Sequence, residues 1–238
     1  MNKNIKVIIS GVILASSILG SVPVFADNHS NVESNTVIES NKGFKFTEEE
    51  KSYLANWLIE NGVNENTKDK LMEKLDKGEM WDSISGGNPV KIEKLDEMTE
   101  KTIYEDGSII VSGSELENNK NDRALSGGTT QSGSGYISRL NVKVYQNSGV
   151  INAHFYANYT NANGGYDIID SIRDPKVVTV GGTVSDIKLK MVKRREDAGG
   201  HAQARLSFTV SSYGGVVGGN CWLDLRVGGD NAYTKYSY

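Results

Sequence analysis

The chain has 238 residues, 26 Lys and Arg against 30 Asp and Glu for a formal charge of -4, and one cysteine, Cys221. The acidic balance argues against nucleic acid or an anionic lipid surface as the main partner, and a lone cysteine excludes an internal disulfide. A chain of this length can bury one ordinary core and a small satellite domain without covalent staples.

The N-terminus reads MNKNIKVIISGVILASSILGSVPVFADN, with Lys3 and Lys6 ahead of an apolar run from Val7 to Leu19 and the small-residue ending Val24-Phe25-Ala26. This three-part pattern predicts a signal peptide over residues 1–26, cleaved after Ala26. The apolar run falls short of the ~20 residues of a spanning helix, so the expected location is secreted and extracellular. Loss of Lys3 and Lys6 leaves a mature chain with a net charge near -6. Residues 27–43, rich in Asn and Ser and without a period, read as a disordered leader.

Two short helices come next. Thr47 and Glu50 form a capping box, Tyr53, Leu54, Trp57 and Leu58 make an apolar stripe, and Gly62 is the stop. For the second helix, Asn66 or Thr67 is the expected cap, Leu71, Met72 and Leu75 the stripe, and Gly78 the stop. Beyond Gly78, Met80 and Trp81 are placed to fold back on Leu71 and Leu75. Trp81 is therefore expected to be a clip that joins the helical pair to a β-hairpin, in which Ile103-Tyr104 leads into Glu105-Asp106-Gly107 and Ile109 to Val111 leads away. These pieces form a predicted module over 44–114.

Residues 115–135, ELENNKNDRALSGGTTQSGSG, read as a flexible Gly/Ser/Asn linker. Alternation takes over in 136–238. The inward sets are Leu140, Val142 and Val144; Ile151 through Tyr159; Ile187, Leu189 and Met191; Ala202 through Val210; and Cys221, Leu223, Leu225 and Val227. Glycine-bearing breakers, Gly214-Gly215 among them, separate the runs. The predicted fold is thus mostly β: a C-terminal antiparallel β-sandwich or barrel of about eight strands, preceded by a small helical hairpin plus β-hairpin module.

No Gly-x-Ser-x-Gly elbow and no His-Glu-x-x-His occurs in the sequence. Of the three histidines, His29 lies in the leader, while His154 and His201 alternate with core positions and should point outward. DIIDSIRDPK lacks the ligand spacing of a calcium loop and reads as a solvated strand ending in a turn at Asp174-Pro175. No cofactor and no metal is expected. Aromatic residues stand out instead: nine of the eleven tyrosines lie from Tyr136 onward. Tyr145 is two residues from Lys143, Tyr156 stands between His154 and Asn158 in the polar register, and Trp222, Asp224 and Arg226 share the outward side of NCWLDLRV. Aromatic rings beside charged and amide groups on a rigid sheet suit sugars or a protein surface, so Trp222, Asp224, Arg226, Tyr156, His154 and Tyr145 are the candidate ligand-binding residues. Gly78, Met80, Trp81 and Tyr104 are assigned structural roles.

LMEKLDKGEMWDS followed by TIYEDGSIIVSG resembles a segment of uncharacterised secreted proteins of low-GC Gram-positive bacteria (Firmicutes). In these a helix, a Gly-Glu-hydrophobe-Trp/Leu-Asp-Ser turn and a Tyr-x-Asp-Gly-Ser hairpin precede a β-rich C-terminal domain of unknown function. Glu105 stands where that pattern has proline. The resemblance implies export and this layout, and assigns no catalytic residue. The leading expectation is a secreted, non-enzymatic recognition protein for cell-wall glycan or a protein surface. A bacteriocin- or toxin-like effector acting on membranes is the alternative, and a hydrolase whose site gathers Asp167, Asp224 and Glu196 is the third.

Overall fold

The computed structural model describes residues 46–116, 128–212 and 218–238. The expected signal peptide, its cleavage point, the leader, the middle of the linker and the Gly214-Gly215 turn lie outside them.

Helix α1 (Glu48–Glu60) starts at the expected capping box: the Glu50 amide donates to Thr47 Oγ1 at 3.2 Å, and the Thr47 amide donates back to Glu50 Oε2 at 2.8 Å. Helix α2 (Glu65–Asp76) begins earlier than its expected caps. Asn64 is the N-cap, accepting the Thr67 amide at 3.0 Å, so Asn66 and Thr67 sit in the first turn. The left-handed Gly62 reverses the chain early enough for the extended Asn64 to take that role. At the other end, Gly78 adopts φ +77°, its amide donates to Leu75 O and the Glu79 amide donates to Lys74 O, which closes the helix by a Schellman pair.

That reversal delivers Trp81 into the core. The residue is fully buried and its indole Nε1 donates to Leu71 O at 2.9 Å, while Met80 is half-buried against the same cluster. The short helix α3 (Asp82–Ser85) follows and carries the second half of the clip. Lys74 Nζ lies 2.9 Å from Asp82 Oδ1 and 2.7 Å from Asp106 Oδ2; the Asp82 amide donates to Asp106, and the Ser83 amide to Ser108 Oγ. Asp82-Ser83 and Asp106-Ser108 thus lock the turn after α2 to the hairpin of β2 (Thr99–Tyr104) and β3 (Ile109–Leu116). Tyr104 takes no part in this lock. It is buried beside Tyr236, and that burial pushes its phenol pKa up.

Burial opposes ionisation of Asp106, but Lys74, Ser108 and two backbone amides outweigh it and hold the carboxyl below its ordinary value. A depressed folded pKa contributes stability above the unfolded value of ~3.9, and that contribution is lost as pH falls through the folded value. Urea unfolding at pH 7 and pH 3 is expected to show a smaller loss of stability on acidification in Asp106→Asn than in the wild type. Equal losses would remove the lock from the acid response.

Beyond the helices the chain is β, in two antiparallel sheets packed as a sandwich. The larger has the order β1 (Pro89–Lys94), β2, β3, β5 (Tyr136–Asn147), β6 (Ile151–Ala162), β7 (Ile168–Thr179), with β4 (Thr129–Gly133) pairing with β5. The smaller has the order β11 (Asn231–Ser237), β10 (Gly218–Gly228), β9 (Ala202–Ser212), β8 (Gly182–Lys193).

Residues 115–135, expected as a flexible linker, contribute strand at both described ends: β3 runs to Leu116, and β4 is exposed along its length. Moreover, β3 pairs with β5 from Val111↔Asn147 to Leu116↔Val142. The expected two-domain division therefore gives way to one sheet shared by both halves, all within one compact unit. Pairing β3 with β5 satisfies backbone groups that a free hairpin edge would leave open. The helical layer is held to the same body. The Gly181 amide donates to Glu50 Oε1 at 3.1 Å, and Gly149, at φ +80°, faces Trp57 so closely that a Cβ there would meet the indole ring at 2.7 Å.

The inner faces are the predicted ones for β6, β9 and β10. Ile151, Phe155, Tyr159, Leu206, Leu223 and Leu225 are each completely buried. Cys221 points inward as expected, and burial pushes its thiol pKa up to about 11. Bulges upset the alternation elsewhere. Asp174, at φ +52°, is a bulge inside β7 rather than the end of it, so Asp174-Pro175 is not the expected turn. Asp186, at φ +53°, shifts the β8 register and leaves Ile187 exposed instead of inward.

Candidate functional site

Trp222, Asp224 and Arg226 do share one outward face, and cross-strand register shows what surrounds them. Three successive rows run across the smaller sheet from β8 to β11: Lys188, Ser207, Trp222, Ser237; then Lys190, Arg205, Asp224, Lys235; then Lys193, Gln203, Arg226, Tyr233. Asp224 is the only acid in these rows.

It is also completely buried, although it lies on the solvent side of the sheet. Arg205 covers it with two donors, Nε to Oδ1 at 2.6 Å and Nη2 to Oδ2 at 2.8 Å. Gln203 Nε2 donates to Oδ2 at 2.8 Å and Arg226 Nη2 at 3.1 Å. A desolvated carboxylate is costly unless its lone pairs are filled by such charge-assisted bonds. The planar Arg205 guanidinium then stacks on Trp222, 4.3 Å from the ring, and its bonds to Asp224 raise its pKa further. The result is a side-chain plate, Trp222–Arg205–Asp224–Arg226, fixed in place before any ligand arrives. Next to it a hollow of about 330 Å³ opens between Asp186, Lys188, Ser207, Thr209, Asn220 and Trp222.

Tyr145, His154 and Tyr156 lie elsewhere, on the outer face of the larger sheet, where Tyr145 pairs with His154 and Lys143 with Tyr156. The six candidate residues therefore form two groups on the two sheets and not one groove. In this second group Arg173 stacks over Tyr156 at 4.8 Å, Lys143 lies 5.5 Å from the Tyr145 ring and is paired with Glu115, and Tyr145 Oη reaches Thr99 Oγ1. These aromatics are engaged by their own neighbours across the strands.

No family model and no curated protein matches this chain. Among solved structures, it is similar to a hypothetical protein of Listeria monocytogenes EGD-e, at 23% identity over 58% of this chain and 92% of that one, with a TM-score of 0.34.

The third expected constellation is divided as well. Asp167 and Glu196 meet at one end of the sandwich, while Asp224 belongs to the plate. Asp167, fully buried, accepts the Asn161 side-chain amide and the Ala162 and Asp230 backbone amides at 2.8 to 3.0 Å. Glu196 accepts the Asp167 and Gly229 amides. Both carboxylates are thereby occupied in fastening three loops together. His201, outward as expected, lies 3.2 Å from Tyr233 Oη and 3.9 Å from Glu196. A larger hollow of about 450 Å³ lies under the β4–β5 turn, beside Arg139, Asn161 and Asp230, but Arg139 is committed to Asn161 at 2.9 Å and to the Tyr159 ring. Sequence reasoning missed Gln203 and Arg205. Their only signal was the outward register of QARLSF beside that of CWLDLR, which becomes informative once β9 is known to pair with β10.

Proposed function

We propose that this is a secreted, non-enzymatic recognition protein, and that the outer face of the four-stranded sheet around Trp222 is its binding surface for cell-wall glycan or a protein. The observation that carries this reading is the buried Asp224. An exposed sheet face needs no desolvated carboxylate to be soluble, yet here one orders two arginines and, through Arg205, a tryptophan. Pre-ordering long side chains removes entropy loss from the binding step, and it places the platform on strands rather than loops.

Retention of the protein on cell-wall material or on an array of wall glycans and surface proteins is the direct test. Wild type is expected to bind, and Trp222→Ala to bind at least ~10-fold more weakly, a difference of about 1.4 kcal/mol, with an unchanged far-UV spectrum. Absence of retention on every surface would remove this function. The membrane-effector alternative gains no support from the geometry. Apart from Trp222, the outward positions of β9 and β10 carry Gln203, Arg205, Ser207, Thr209, Asn220, Asp224 and Arg226, whereas strands that face lipid turn their apolar residues outward.

A further inference from the structure

We infer that the ligand of this face is an anionic polysaccharide, held by its acid groups at Lys188 and Lys190 and by its sugar hydroxyls in the hollow beside Trp222. This deepens the reading above and rests on it.

Charge is the first support. The whole chain is acidic, yet the three rows set Lys188, Lys190, Lys193, Arg205, Arg226 and Lys235 against Asp224, and the hollow beside them adds one further acid, Asp186. Elsewhere the lysines at 51, 68, 74, 77, 91, 101 and 143 have carboxylate partners, and Lys193 is paired with Asp197 at the edge of this face. Lys70, Lys94 and Lys176 have none either but stand on three separate elements, α2, β1 and β7, whereas Lys188, Lys190 and Lys235, also without one among the described residues, share this face. Unpaired cations concentrated on one face of an acidic protein make a local positive field within an overall repulsive one, which selects a negative ligand that can approach this face alone.

The second support is what lies between the cations. Ser185, Ser207, Thr209, Asn220 and Ser237 occupy the same outward register, and several of them line the 330 Å³ hollow together with Trp222. Hydroxyl and amide groups bracketed by an aromatic edge match sugar hydroxyls and C–H faces. That volume is at the small end of ligand pockets, which run from ~300 to ~1,000 Å³. Arg205, whose Nε and Nη2 are spent on Asp224, already occupies one side of the Trp222 ring, so the tryptophan serves as a fixed wall of the hollow and the acid groups fall to the lysines beside it. Lys188 and Lys190 stand two residues apart, ~7 Å along the strand, and Lys190 and Lys235 are separated by three strand spacings, ~14 Å. Acid groups spaced along a chain can meet both separations. A densely charged nucleic acid would suffer more from the net negative charge of the rest of the protein.

The test is binding by calorimetry at low and moderate salt, with four probes: polygalacturonate for carboxylates, yeast phosphomannan for phosphates, neutral dextran, and oligodeoxythymidine. The proteins are wild type, Lys188→Gln/Lys190→Gln, Trp222→Ala, and Lys70→Gln/Lys94→Gln, which removes the same charge from exposed positions elsewhere. At least one acidic glycan is expected to bind wild type, with salt-sensitive affinity that falls ~10-fold or more in Lys188→Gln/Lys190→Gln and changes less than ~2-fold in the control, on the scale of one or two lost charge contacts. Which of the two binds separates carboxylate from phosphate. Dextran bound as tightly as the acidic glycans, or a neutral wall glycan bound with sensitivity to Trp222→Ala alone, would overturn the anionic ligand and leave the recognition face standing. Oligodeoxythymidine bound as well as the glycans would overturn selection for sugar. Binding lost equally in the Lys70→Gln/Lys94→Gln control would overturn the site.

Discussion

Replacing Trp81 by alanine is expected to lower the unfolding free energy by about 3–5 kcal/mol, the range for deleting a large buried aromatic. Three contributions act together: the lost apolar surface of a fully buried indole, the cavity left between α2 and the hairpin, and the Leu71 carbonyl deprived of its donor. The consequence reaches beyond the helices. Because β3 pairs with β5 and the helical layer touches the turns at Gly149 and Gly181, the loss should lower a single transition rather than melt an independent N-terminal piece. Urea unfolding followed by both tryptophan fluorescence and far-UV dichroism would check this, with coincident curves at a reduced midpoint expected. Two separated transitions, or a change below about 1 kcal/mol, would contradict the clip as described.

The second large effect is expected at Asp224. Removing one member of a buried ion pair costs about 3–5 kcal/mol when the survivors cannot reach water. Here Arg205 and Arg226 keep 36% and 28% of their side-chain surface exposed, so they recover part of their hydration. A loss of about 2–3 kcal/mol is therefore expected for Asp224→Asn. A double-mutant cycle with Arg205→Gln separates the pair from the rest: the coupling energy should be about 1–3 kcal/mol. A value near zero would mean that the plate is not held by this pair, and the argument for a pre-ordered surface would fall with it.

How much of this was legible in the sequence follows from what each strand touches. β6, β9 and β10 showed their inner faces because every second residue enters the core, and burial enforces the period. β1 and β4 left no such trace: they are exposed edge strands whose place is fixed by backbone pairing, so TTQSG looked like linker and PVKIEK received no strand assignment. In β7 and β8 the left-handed Asp174 and Asp186 shift the register by a bulge, which polar residues at strand positions do not announce. The link between the two halves was hidden for a related reason. Pairing of β3 with β5 is a long-range backbone contact, and SGSEL carries no periodic mark of it.

The site was half-legible on the same terms. Period 2 alone places Trp222, Asp224 and Arg226 on one side of β10, but it cannot tell which sheet β5 and β6 belong to. Tyr145, His154 and Tyr156 were therefore grouped with a face they do not share. Nor does it reveal that Asp224 is covered, since burial on the outer side arises from Gln203 and Arg205 on the neighbouring strand. The motif after α2 gained a physical meaning in exchange. Asp82-Ser83 and Asp106-Gly107-Ser108 are the two halves of one hydrogen-bonded lock around Lys74.

The central claim is that recognition occurs on the outer face of the four-stranded sheet. Amide chemical-shift mapping of the labelled protein during titration with oligogalacturonate, repeated with a phosphorylated mannan oligosaccharide, tests it most directly. The account predicts that the largest shifts fall on Lys188 to Lys190, Arg205 to Thr209 and Asn220 to Arg226, with the larger sheet around Tyr145, His154 and Tyr156 unchanged. Shifts centred on that second group, or spread evenly over the surface, would contradict it, whereas none with either oligosaccharide would overturn the anionic ligand alone.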